Sequence, residues 1–189
     1  MRYVLTFVLL FSSLTASAGL LIEPLVGYNV ITKFDGESGS GGGAYGGRLG
    51  YQNFGFQLGL DYLSSTIALD SDDTDDDFKT SEFGAFVGYE FPVFFRLYAG
   101  YVFSASSNTI EVADEDGGPD NEATYLDGSG AKFGIGFTGL PFVAINFEMR
   151  SIQFDTTEVK DGGSGIETEI DDGVKLAAYL ISLSIPIDI

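Results

Sequence analysis

Apolar residues recur along this chain with a period of two. In FGFQLGLDYL (54–63), Phe54, Phe56, Leu58, Leu60 and Tyr62 fall on one parity, and Gly55, Gln57, Gly59 and Asp61 on the other. That is the pattern of a strand with two unlike faces. The same alternation predicts eight strands, over 20–32, 44–53, 55–69, 80–91, 94–108, 129–138, 142–155 and 173–188. Most exceed the about 5–6 residues of an ordinary globular strand. They match the about 9–11 residues of a tilted strand that crosses a membrane.

The connections alternate in length. QNFG, FPVF and TGLP are tight turns between strands 2 and 3, 4 and 5, and 6 and 7. The other four connections are long and lack apolar periodicity: KFDGESGSGGG, DSDDTDDD, NTIEVADEDGGPDNEATYLD and TTEVKDGGSGIETEIDD. In an up-and-down arrangement, short turns then gather at one end and long loops at the other, as in outer-membrane barrels. Counting Asp155 at the lip of the last loop, 22 of the 28 acidic residues lie at the long-loop end. The other six are Glu23, Asp61, Glu82, Glu90, Glu148 and Asp188.

The two parities differ in chemistry. One carries Phe56, Leu58, Leu60, Phe95, Leu97, Tyr101, Phe103, Phe133, Ile135, Phe137, Val143, Ile145, Phe147, Ile181, Leu183 and Ile185. The other is assigned Glu23, Arg48, Asp61, Glu82, Glu90, Arg96, Lys132, Glu148, Arg150 and Lys175, interleaved with glycine. A soluble lipocalin-like barrel would turn the apolar face inward around a ligand. A membrane barrel inverts that assignment, and three features favour the inversion. A small eight-stranded interior has no room for a whole face of Phe, Tyr, Leu and Ile. The charged face balances five cations against five anions, as buried charges must. Aromatics sit near strand ends at Tyr28, Tyr51, Tyr62, Tyr89 and Phe91, where interfacial girdles belong.

The first 18 residues are set apart from this pattern. MRYVLTFVLLFSSLTASAG has a charge at Arg2, an apolar run from Tyr3 to Leu14, and Ala16-Ser17-Ala18 before Gly19. That is the layout of a signal peptide cleaved between Ala18 and Gly19. The run is shorter than the about 20 residues of a helical span, which speaks against an anchor. The expected mature domain is 19–189, with 8 basic and 28 acidic residues once Arg2 is removed. Nucleic acid is not an expected partner, because binding it requires clustered Lys and Arg.

With no cysteine and no histidine, disulfides, thiolate or His-ligated zinc and His-based triads are excluded. DSDDTDDD does not fit a calcium loop, which needs Gly sixth and Glu twelfth. Counted from Asp70 those positions are Asp75 and Ser81, and from Asp114 they are Pro119 and Tyr125. Weak, diffuse binding of divalent cations is the most the acidic loops suggest. GSGGGAYGG (39–47) lacks the GK[ST] ending of a phosphate loop and leads into a strand. No catalytic residue, cofactor site or metal site is predicted, and the chain reads as a non-enzyme. Inside the barrel, Arg96 is expected to pair with Glu82 or Glu90. The lumen charges are expected to hold the barrel shut, the alternative being a pathway for ions or small solutes.

The strand and loop rhythm, the opening IEPLVGYN (22–29) and the closing YLISLSIPIDI (179–189) resemble the small eight-stranded outer-membrane barrels related to the OmpA transmembrane domain and to OmpX. The resemblance spans about Leu20 to Ile189. It implies an all-β, eight-stranded antiparallel barrel in the bacterial outer membrane with its long loops outside the cell. It also implies surrounding outer-membrane lipid, handling by the outer-membrane insertion machinery during biogenesis, and a monomer. The last strand alternates through Tyr179, Ile181, Leu183, Ile185, Ile187 and Ile189. It departs from the family pattern in ending on Ile rather than an aromatic residue. The role this implies is structural or one of surface interaction.

Overall fold

The computed structural model describes residues 19–34, 41–68, 77–108, 110–112, 121–161 and 164–189. Residues 1–18, expected to be a signal peptide, and the acidic runs 70–76 and 113–120 lie outside them. Eight long strands cross: β1 (Gly19–Phe34), β2 (Gly41–Asn53), β3 (Phe56–Ala68), β4 (Asp77–Phe91), β5 (Phe95–Ser107), β8 (Gly128–Leu140), β9 (Val143–Asp161) and β10 (Ser164–Ser184). Between β5 and β8 lie two short strands, β6 (Ile110–Val112) and β7 (Asn121–Leu126), and β11 (Ile187–Asp188) ends the chain. Each long strand pairs antiparallel with its neighbour, and β10 closes the ring by pairing with both β9 and β1. Closure leaves no unpaired sheet edge among the eight, the condition for a sheet to exist in hydrocarbon.

Irregularities fall where the chain must bend. β5 carries an extra residue opposite Phe83 and Gly84, which pair with Ser104 and Val102. Phe103 and Ser104 both face outward there, and Ala105 returns to the interior. Pro186, which has no N–H to give a ladder, separates β10 from β11, and β11 then pairs with Leu21 and Ile22 of β1.

The structure extends the predicted elements at the long-loop end. β9 and β10 continue as a hairpin through most of the segment 156–172, and β7 and β6 add to its side. Sequence periodicity places no strand in these regions. Beyond the membrane a hairpin need not present an apolar face, so the alternation that reveals the crossing strands is absent.

The outer surface of the crossing region is predominantly apolar. Leu58, Leu60, Phe95, Leu97, Tyr101, Phe103, Phe133, Ile145, Phe147, Ile181, Leu183 and Ile185 are all exposed, with Val143 half-buried. Edge-to-face pairs brace this belt, among them Phe83–Phe103 at 5.0 Å and Phe56–Tyr89 at 4.8 Å between ring centroids. An exposed apolar surface of this extent is incompatible with water and suited to lipid. It inverts the arrangement of a soluble lipocalin-like carrier. The three tight turns share one backbone feature: Phe54, Phe94 and Phe142 have φ of 50°, 65° and 65°.

Candidate functional site in the barrel lumen

Inward-facing residues are the only ones that could bind or pass a solute through the barrel. The alternation carries eight ionised side chains into this interior: Glu23, Arg48, Asp61, Glu82, Arg96, Lys132, Glu148 and Arg150, all buried. They balance, four against four, and each cation finds a carboxylate on a strand at least three places away around the ring.

Arg96 of β5 reaches Glu23 of β1 on the opposite wall, with its two Nη atoms donating to the two carboxylate oxygens at 2.9 and 2.5 Å. The same Nη2 donates to Asn146 Oδ1 at 2.6 Å. Ser184 Oγ donates to Glu23 Oε1 at 2.5 Å. Arg48 lies 3.5 Å from Glu23 and donates to Glu148 at 3.1 Å. Its guanidinium stacks 4.1 Å from the Tyr98 ring centroid, a cation–π contact strengthened by exclusion of water. Arg150 donates to Glu82 at 2.6 Å and to Asn29 at 2.7 Å. Lys132 pairs with Asp61.

Two expectations need correction. Glu82 and Glu90 are not the partners of Arg96. Glu90 is its direct neighbour in the β4–β5 ladder. However, the long guanidinium side chain leaves the wall and spans the lumen, while Glu82 lies further along and takes Arg150. Glu90 sits half-buried near the short-turn end, accepting from Gln57 at 3.4 Å. Lys175 is not in the lumen at all. It shares parity with outward Tyr179 and is exposed, while its neighbours Val174 and Leu176 are buried.

The interior also contains a layer that the charge pattern does not disclose. Toward the long loops the lumen is filled by Ile31, Val102, Ala105, Ile152, Phe154, Leu176 and Ala178, with Tyr125 of β7 packed against them. A smaller cluster joins Leu25, Ala44, Leu63 and Leu180. The signal was present in parity: Ile152 and Phe154 continue the row of Glu148 and Arg150, and Leu176 and Ala178 that of Leu180 and Ser182. The cavity between Arg48, Asp61, Glu82, Lys132 and Glu148 measures about 10 Å³, room for about one water.

Glycines leave space for these side chains. A Cβ on Gly134 would stand 2.1 Å from the Tyr98 ring, and one on Gly100 2.6 Å from the Lys132 side chain. Among the described residues, no group of three or more potential metal ligands converges.

No family model and no curated protein matches the chain. Among solved structures it is similar to Neisserial surface protein A, at 15% identity over 90% of this chain and 98% of that one, with a TM-score of 0.53. It is similar to Ail, the attachment invasion locus protein of Yersinia pestis, solved with the heparin analogue sucrose octasulfate, at 13% identity, 91% and 99% coverage and a TM-score of 0.54. The outer membrane protein OprG of Pseudomonas aeruginosa matches at 11% identity, 93% and 99% coverage and a TM-score of 0.53. The chain has the fold of the small eight-stranded barrels of the bacterial outer membrane.

Proposed function

We propose that this chain is a closed outer-membrane barrel whose role is structural and interactive. Its lumen braces the wall, and its acidic loops face the outside of the cell. The observation that carries the reading is the filled interior. Four cation–carboxylate pairs cross it, and the apolar layer of Ile152, Phe154 and Leu176 lies between them and the long loops. An ion would have to break paired charges and then traverse a dry layer, both costly.

The loops supply the other half of the reading. With 22 acidic residues at that end, they favour cationic or weakly bound divalent partners and repel polyanions. Ail carries a sulfated ligand in its solved complex, and a ligand of that charge suits these loops poorly. The test is single-channel recording on the refolded full chain in a planar bilayer. No unitary conductance steps are expected. Stable, ohmic steps that scale with salt would favour the channel reading and overturn this one.

A further inference from the structure

The short-turn end of the barrel carries an apolar crown held at a conformational cost. Phe54, Phe94 and Phe142 occupy the left-handed region, where a Cβ crowds the following carbonyl and glycine or asparagine is the usual occupant. Each such residue disfavours folding by roughly tenfold relative to glycine. All three rings nevertheless project outward, 72%, 47% and 85% exposed, beside Val93 at 63%. In water such a ring brings nothing to offset the backbone. In hydrocarbon a buried phenylalanine brings more than the strain takes away.

We infer that the short-turn end is itself embedded in the lipid leaflet, with the three phenylalanine-tipped turns below the headgroup boundary rather than standing in water. Two further observations agree. Residues 51–57, 91–95 and 137–145 contain no ionisable side chain other than Tyr51, so the turn tips bring no charge of their own into a low dielectric; the adjacent Glu90 is half-buried and accepts from Gln57 at 3.4 Å. Two of the turn carbonyls are also tied down: Gly55 O accepts from Glu90 N at 2.7 Å, and Phe94 O from Thr138 N at 2.8 Å. Backbone groups at membrane depth must be satisfied in this way. The crown is continuous with the lipid belt through exposed Phe56, Phe91, Phe95 and Phe137.

The chain contains no tryptophan, so Phe54→Trp, Phe94→Trp and Phe142→Trp each create a single emitter. Each full-length variant is refolded into phosphatidylethanolamine–phosphatidylglycerol vesicles, with and without acyl-brominated phospholipid, and titrated with iodide on both sides. Blue-shifted emission, strongly quenched by bromine and weakly by iodide, is expected at all three positions. Strong iodide quenching without bromine quenching overturns the inference. Protection from both also overturns it, by placing a second copy or another protein on the crown. As an independent measure, Phe142→Gly relieves the left-handed backbone. In vesicles it should lower the folding equilibrium constant several-fold, because the lost ring outweighs the relief. A rise, the result for a ring in water, refutes embedding.

Discussion

Truncating Arg96 is the sharpest probe of the lumen. The side chain is 1% exposed and Glu23 is fully buried, so Arg96→Ala leaves a carboxylate without its bidentate partner in a dry interior. Removing one member of a buried pair costs about 3–5 kcal/mol. Here Glu23 retains Ser184 at 2.5 Å and Arg48 at 3.5 Å, which places the loss at the low end. An expected loss of about 3 kcal/mol is on the order of 150-fold in the folding equilibrium. The assay is a reversible urea titration of the full chain in phosphatidylcholine vesicles, followed by circular dichroism and by the gel mobility of unheated samples. The control is the double variant Arg96→Met with Glu23→Leu, which removes both charges and keeps apolar volume. It should recover much of the loss, because a buried pair is often matched by hydrophobic residues, with a coupling energy of at least about 2 kcal/mol. If the single truncation costs less than about 1 kcal/mol, or if the two sites act additively, the cross-lumen pair is not holding the wall.

Other perturbations separate the faces. Leu60→Arg, well inside the lipid belt on β3, should cost about 2–4 kcal/mol in the same titration. Lys175→Leu, on the outward parity, should stay within about 0.5 kcal/mol. Gly134→Ala forces the Tyr98 ring off its seat against Arg48 and should cost about 1–3 kcal/mol. Adding Tyr98→Ala should make Gly134→Ala nearly silent, which the same urea midpoints would show. Replacing residues 158–167 by Asn-Gly shortens the β9–β10 hairpin to the Thr157–Thr168 rung. It should leave barrel stability within about 1 kcal/mol.

What the sequence discloses follows from what the membrane demands. A strand between lipid and lumen must alternate, so the crossing strands and the tight turns at QNFG and FPVF can be read directly, whereas the third turn falls at Pro141–Phe142, at and just past the end of TGLP. Lys175 shows where that reading fails. A positive charge does not mark the lumen against its own parity, because an outward lysine toward the long-loop end of the barrel can carry its ammonium to the interface. Ile152, Phe154 and Leu176 show the converse, being apolar residues whose parity sends them inside. The partner of Arg96 was out of reach for a different reason. Ladder neighbours follow from strand order, but contacts across the lumen depend on tilt and stagger, which alternation along one strand does not record. The β6–β7 pair and the long β9–β10 hairpin were missed because strands in water need no apolar contrast.

Glu23 stands where the two ends of the chain meet. It lies on the first strand, accepts from Ser184 on the last barrel strand, 161 positions away, and from Arg96 on the strand diametrically opposite. None of these contacts can exist in an open sheet. They form only when β10 docks on β1, the pairing with the greatest sequence separation in the barrel and hence the slowest to be reached. The carboxylate therefore contributes little to the transition state for insertion and acts afterwards, as a latch. Glu23→Gln should leave the folding rate nearly unchanged and speed unfolding by almost its whole effect on stability. In these terms, the residue sets how long the closed barrel lasts rather than how quickly it forms.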